Sequence, residues 1–356
     1  MTVSTGQQAA LESGVREGAG MVEHPFHPHS HPPTETRPTT QILLFGEVLM
    51  DCFPDRAVQG GAPLNVAHHL HALGGGVGVV PVLVTRIGKD EYGHRLMASM
   101  QAAGLPIDGV QLDCLHPTGE VRIELATDGS GHRFVIPSDQ AWDFIHADMA
   151  RLVGLSSRPE WLYFGTLAQR AAPRPIARPA AHPALRSLLQ TTQAKGFLDI
   201  NLRDPWVRKD VLRWSLGKAE VVKMNEEELL RVTHMMGRGG ASQVVVGKRL
   251  LHAFGIGQLL VTEGGNGAWL LQSDGTYHHT AATAPLVDGV DSVGAGDGFA
   301  AVFLLGLTQG WPVEQALERA HGFAGEICRL RGAIPDSDDF YQPFITAWQL
   351  ASGGAA

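Results

Sequence analysis

The stretch DSVGAGDGFAAVFLLGL, residues 291–307, decides how the chain is read. Gly294 and Gly296 bracket a tight turn, and beyond Asp297 the residues Phe299, Val302, Phe303 and Gly306 recur on one side of a helix. A glycine turn that runs into a helix leaves the backbone N–H groups of residues 294–297 pointing outward, an anion hole suited to phosphate oxygens. A side chain there would block close approach of the anion, so glycine is required. Asp297 falls in the first helical turn, where the helix dipole favours an ionised carboxylate. Such a group is a modest base. Phosphoryl transfer asks little more, because its loose transition state is helped mainly by positioning and charge stabilisation. By itself the stretch reads equally well as this catalytic turn and as a glycine turn with an aspartate cap.

Outward from it, the chain alternates strand and helix. ILLF (42–45) is a short apolar run suited to a buried strand. Pro63 opens a helix with Val66, Ala67, Leu70 and Leu73 on one face, closed by Gly74–Gly76. Val77–Val84 is strand-like, weakened by Pro81, and Tyr92–Ala103 reads as a helix stopped at Gly104. Residues 119–136 differ: alternating apolar and charged residues around DGSG predict a two-faced hairpin that projects from the main sheet. WLYFG (161–165), GFLDIN (196–201), EVVKMN (220–225) and QLLVTEGG (258–265) each resemble a strand running into a loop. Helices are expected at 297–309, 312–330 and about 337–350. This alternation predicts a mainly parallel sheet covered on both faces. Asp51, Asn201, Arg203, Asn225 and Thr262 gather at the strand ends, the edge where open α/β sheets bind ligands.

Bulk properties narrow the function class. The chain has 356 residues, 44% of them hydrophobic, and a formal net charge of -8. That composition builds a sizeable core, and the acidic balance disfavours a nucleic-acid binder. Cys52, Cys114 and Cys328 are too scattered for a disulfide framework or a zinc knuckle, so a reducing cytoplasm is expected. No membrane-length apolar run or signal-peptide pattern is found. Residues 1–40 read as a His/Pro-rich tail in which His24, His27, His29 and His31 are solvated. RAAPRPIARPAAHPA (170–184) reads as a surface loop or insertion.

GGAPLNVAHHL (60–70) is the second stretch that carries chemistry. Two glycines precede a proline-started helix with Asn65 in its first turn, and an amide that both donates and accepts suits sugar hydroxyls. An ordinary loop-to-helix junction has the same pattern. No Walker loop occurs, and GGGVG (74–78) precedes a strand instead of following one, which excludes the dinucleotide fingerprint.

GGAPLNVAHHLHALGG and DSVGAGDGFAAVFLLGL resemble the two signature motifs of the ribokinase-like, or PfkB, carbohydrate kinases. GEVLMDCFPD (46–55), INLRDPW (200–206), KMNEEEL (223–229), VTEGGNGAW (261–269) and RGAIPD (331–336) follow in that family's order, and the details are most similar to bacterial fructokinases. The resemblance spans about residues 41–350, with a flexible end at 351–356. It implies a three-layer αβα sandwich with a mainly parallel central sheet and a small β lid from about 53–62 and 115–137.

The resemblance also implies residue roles. Asp297 matches the base that accepts the sugar hydroxyl proton, and Gly294, Ala295 and Gly296 match its anion hole. Asp51, Gly60, Gly61 and Asn65 match sugar-binding positions, with Arg203 a further candidate for phosphate or developing charge. Asn225 and Glu228 match an N-x-x-E motif that orders magnesium and its waters. Thr262, Gly264 and Gly267 match the loop lining ATP. Asp291 matches a position near a monovalent-cation site, usually potassium, completed by carbonyls from residue 293 and around Gly332. Glu263 departs from the pattern and is expected to turn from the phosphates. Gly298 departs too and is expected to loosen the first turn of its helix. His68, His69 and His71 read as packing or surface.

The implied activity is transfer of the γ-phosphoryl group of ATP to a sugar, fructose first. Alternatives are 2-keto-3-deoxygluconate, ribose or a nucleoside. From another class comes a non-catalytic sugar sensor, against which the retained Asp297, Gly294 and Gly296 argue. No nucleic acid or membrane partner is implied; a homodimer is the family expectation.

Overall fold

A computed structural model describes residues 39–125, 132–170, 182–240, 242–282 and 293–350. The strands in chain order are β1 (Thr40–Phe45), β2 (Leu49–Cys52), β3 (Ala57–Gly60), β4 (Val79–Gly88), β5 (Val110–Asp113), β6 (Gly119–Leu125), β7 (His132–Val135), β8 (Trp161–Gly165), β9 (Lys195–Asp199), β10 (Val221–Asn225), β11 (Gln258–Thr262), β12 (Ala268–Gln272) and β13 (Tyr277–His279). The helices are α1 (Ala62–Gly74), α2 (Glu91–Ala102), α3 (Ala147–Ser157), α4 (Pro183–Thr191), α5 (Lys209–Leu216), α6 (Glu226–Met236), α7 (Gln243–Phe254), α8 (Ala295–Gln309), α9 (Val313–Ile327) and α10 (Gln342–Trp348).

The main sheet has the order β13-β12-β11-β10-β9-β8-β1-β4-β5. From β11 to β5 every pairing is parallel; β12 and β13 close one edge antiparallel. Strand alternation sends side chains to two apolar layers. Ile42 and Leu44 of β1 face α1, α2, α8 and α9, and Leu43 and Phe45 face α3 to α7. The expected three-layer αβα sandwich is therefore present. Pro81 is tolerated because β4 meets β5 only over Thr85–Gly88. At Pro81 the strand has β1 on one side and, among the described residues, no ladder on the other.

The second sheet, β3-β2-β6-β7, is the lid. Its hairpin β6–β7 is antiparallel, as the 119–136 pattern predicts. The range 53–62 needs correction at both ends. The lid includes β2, which starts at Leu49, and Ala62 already belongs to α1. Alternation over four residues is too short a signal to find β2 in sequence. The helix expected at about 337–350 is a short 3-10 turn followed by α10. The tail, residues 351–356 and most of the proline-rich stretch (171–181) lie outside the described residues.

Helix α8 is buried all round from Gly298 to Leu305, wedged between α1 and α9. Gly298 does not mark a loose turn. A side chain there would meet Ile327 at 3.1 Å and Phe323 at 3.2 Å, so glycine lets α9 pack close. On the far side, Arg170 joins the lid exit to the loop after β8. Its guanidinium makes a bidentate pair with Asp143 (2.7 and 2.7 Å), donates to the Pro137 carbonyl (2.6 Å), and lies 3.8 Å from the Trp142 ring centroid and 4.6 Å from that of Trp206. Asp143→Ala would leave this buried cation unpaired. A loss of about 3–5 kcal/mol is expected, read as a lowered urea midpoint; an unchanged midpoint would contradict the pairing.

Candidate active site

Parallel strands deliver their carboxyl ends to one edge, and the candidate residues collect there. Glu47 follows β1, Asp199 ends β9, Asn225 ends β10 and Thr262 ends β11. Helices α1 and α8 begin at this edge. Asn65, in the first turn of α1, donates from Nδ2 to Asp297 Oδ2 at 2.7 Å, across 232 positions of sequence. Asn65 Oδ1 is buried without a partner among the described residues, leaving an acceptor available to a ligand hydroxyl. The first recorded helical bond of α8 is Gly298 N–H to the Gly294 carbonyl (2.8 Å). The N–H groups of Ala295, Gly296 and Asp297 form the first turn, and no side chain among the described residues caps them.

The glycines have reasons the sequence does not state. Gly294 has φ 81°, and a Cβ on it would collide with Ala333. The turn therefore rests directly on the segment that follows Gly332. A side chain on Gly61 would strike the Glu47 carbonyl, and one on Gly60 the Asp51 carboxylate. Gly60 and Asp51 lie on the paired strands β3 and β2 and form the lid side of the cleft.

Asn225 and Glu228 meet in a reciprocal capping box. Asn225 Oδ1 accepts from the Glu228 N–H (2.8 Å), and Glu228 Oε2 accepts from the Asn225 N–H (3.0 Å). Glu228 Oε1 accepts from the Leu202 N–H (2.8 Å), which ties the loop bearing Arg203 to α6. Both carboxylate oxygens already serve the backbone. No group of three or more His, Cys, Asp or Glu suited to a metal occurs among the described residues. These donors fit a magnesium ion carried by phosphates and met through water, not an all-protein cage. Asn225 and Thr262 are register partners, so this motif lies beside the loop of Gly264 and Gly267. A Cβ on Gly267 (φ 121°) would come within 2.7 Å of the Thr280 carbonyl oxygen. Glu263 turns to His279 (3.2 Å). Asp291 lies outside the described residues.

Burial sets the charges. Asp297 opens onto the cleft but is packed deeply enough that desolvation pushes its carboxyl up to about 6, with Asn65, Lys223 and Arg203 opposing. This corrects the expectation that the helix dipole keeps it ionised. Glu47, only 4% exposed, is pushed up to about 7, chiefly by desolvation and further by Asp297. Sequence reasoning missed Glu47, Tyr163, Asp199 and Lys223. Lys223 Nζ donates to both oxygens of Asp199 (2.9 and 2.9 Å), and Tyr163 donates to Asp199 Oδ2 (3.2 Å). The charged residues inside the otherwise apolar runs GFLDIN and EVVKMN were the available signal. His69, by contrast, is core: buried, bonded to the Tyr341 hydroxyl (3.0 Å) and pushed down to about 3 by desolvation.

An acid at the head of a buried helix, at the carboxyl edge of a parallel sheet and under a small β lid, defines the ribokinase-like class. The chain belongs to the pfkB family of carbohydrate kinases, whose family model matches residues 37–339. It is 28% identical to the fructokinase of Escherichia coli over 291 residues, covering 76% of this chain and 85% of that one. It is 24% identical to the aminoimidazole riboside kinase of Salmonella typhimurium over 337 residues, covering 87% and 97%. Among solved structures, the fructokinase with bound ATP from Xylella fastidiosa aligns with TM-score 0.71 and 22% identity, over 87% of this chain and 99% of that chain. No helix among the described residues is long and apolar enough to cross a membrane.

The raised carboxyls oppose stability at neutral pH. Below about pH 4.5 Glu47 is protonated in both states; as pH rises toward 7 the unfolded chain releases its proton first, so folding loses stability across that window. Glu47→Gln should flatten this decline by up to about 3 kcal/mol, measured by urea unfolding at pH 4.5 and pH 8. An unchanged slope would mean Glu47 is solvated.

Proposed function

We propose that this carbohydrate kinase transfers the γ-phosphoryl group of ATP to a hydroxyl of fructose. The carrying observation is the 2.7 Å bond that fixes Asp297 to Asn65 at the head of α8, beside the first-turn N–H groups of residues 295–297, which no side chain among the described residues caps. Asp51, Gly60, Gly61 and Asn65 bind the sugar hydroxyls, and Asp297 accepts the proton of the attacking hydroxyl. The Gly294–Gly296 backbone holds phosphoryl oxygens. Thr262, Gly264 and Gly267 line the nucleotide, and Arg203 adds positive charge at the mouth. Asn225 and Glu228 hold the waters of a magnesium ion, which supplies charge neutralisation on the phosphates. Asp291 contributes to a potassium site. Cys52, Cys114 and Cys328 form no disulfide with one another, which supports a cytoplasmic enzyme. Among the described residues the lid edges β3 and β7 pair with no further strand, which, with Phe134 exposed on β7, supports a homodimer.

Likeness to both a fructokinase and an aminoimidazole riboside kinase keeps a second acceptor class in view. A coupled ADP assay over fructose, 2-keto-3-deoxygluconate, ribose and nucleosides decides it. Fructose is expected to give the highest kcat/KM, and turnover of adenosine or inosine without fructose would replace this reading. Asp297→Asn should lower kcat by two or more orders of magnitude with the fold retained; near-normal turnover would remove Asp297 as base. A base must be ionised, so wild-type kcat/KM should rise with pH through about 6 and level off above it.

A further inference from the structure

The anion hole of the proposed site is made of neutral N–H groups, yet the group in flight is highly charged. Directly behind that turn sits a buried ammonium. Lys223 Nζ lies 3.1 Å from where a Cβ of Gly296 would be, so any side chain at 296 would press on it. Lys223 is 6% exposed, Asp199 3% and Tyr163 fully buried. The three come from the adjacent parallel strands β10, β9 and β8, which makes the cluster rigid. Two of the ammonium hydrogens go to the two oxygens of Asp199, and the third has no recorded acceptor among the described residues.

A purely structural role explains this poorly. A buried ion pair is seldom more stable than an apolar pair of similar volume, and the surrounding strands are apolar. The charge does reach the reacting groups. Burial works against the ammonium, but Asp199, Asp297 and Glu228 together hold Lys223 above its ordinary range, so it stays charged. At Asp297 its influence exceeds that of the exposed Arg203.

We propose that Lys223 is a catalytic residue, its ammonium held behind Gly296 by Asp199, which Tyr163 in turn holds, so that it donates to an oxygen of the phosphoryl group during transfer. This rests on the kinase reading above. In the step, the sugar hydroxyl oxygen bonds to the γ-phosphorus as the bond from that phosphorus to the β–γ bridging oxygen breaks. ADP leaves with the bonding pair and the hydroxyl proton goes to Asp297. Lys223 keeps all its protons and stabilises the charge on the moving group.

The test compares Lys223→Met, which strands a buried carboxylate, with the double variant Lys223→Met/Asp199→Asn, which does not. The sugar used is the one with the highest wild-type turnover. The double variant should recover most of the wild-type Tm, keep its sugar KM within about threefold, and remain on the order of 100-fold or more below wild type in kcat. Calorimetry should show ADP binding intact, with its tightening by aluminium fluoride and sugar lost. A refolded double variant with near-wild-type kcat, or with aluminium fluoride tightening preserved, overturns the proposal and leaves a structural pair. If the double variant does not fold, wild-type protein carrying 15N-lysine gives the answer. The slowest-exchanging ammonium signal should shift with ADP, aluminium fluoride and sugar together but not with ADP alone; no shift overturns the proposal. A wild type that forms no ADP with any sugar overturns the kinase reading and this proposal with it, whereas normal wild-type turnover matched by the double variant overturns Lys223 alone.

Discussion

Everything at the site depends on how tightly α8 is enclosed. The helix is apolar on every side and packed between α1 and α9, with Gly298 allowing contact at 3.1–3.2 Å. A helix so enclosed has one position along its axis. Its first turn therefore projects at a fixed place on the sheet edge, carrying Asp297 and the N–H groups of residues 295–297. Gly294 resting on Ala333 fixes the turn from below, and Asn65 fixes the carboxylate from the side. Preorganisation is cheap here because the core has already immobilised the helix.

The same enclosure explains the electrostatics. Glu47, Asp199, Glu228 and Asp297 crowd one edge, and desolvation pushes up the carboxyls of Glu47 and Asp297. The fold answers unevenly. Asp199 receives a lysine and a tyrosine hydroxyl, and Glu228 receives two backbone N–H groups. Asp297 receives an amide and more distant cations among the described residues, which leaves its carboxyl raised to about 6 instead of permanently ionised. Glu47, set against its own backbone N–H and more distant arginines, is pushed up to about 7.

Much of this was legible in the chain. The glycine turn before an apolar helix, the proline-started α1 and the alternation of 119–136 each follow from local rules: turn chemistry, capping and period. Pro81 and Gly298 looked like faults by those rules. Both proved to be fitted to their surroundings, since one lies where a ladder is absent and the other where two helices touch. β2 escaped notice because four residues carry too little periodicity. Lys223 and Asp199 escaped because each is one charge in an apolar run, and nothing local says that the two runs are neighbours.

By itself the sequence determined which elements form, in what order, and that an aspartate would stand at a helix head behind glycines. Those outcomes depend on spacings of a few residues, which a chain displays openly. Only the tertiary structure decided that Asn65 would hold Asp297, that Gly296 would lie over an ammonium, and that burial would raise the carboxyls. Those outcomes depend on which strand ends become adjacent and how much water is excluded between them. Parallel pairing brings β8, β9 and β10 side by side across long crossovers, so their charges meet only after the sheet has closed.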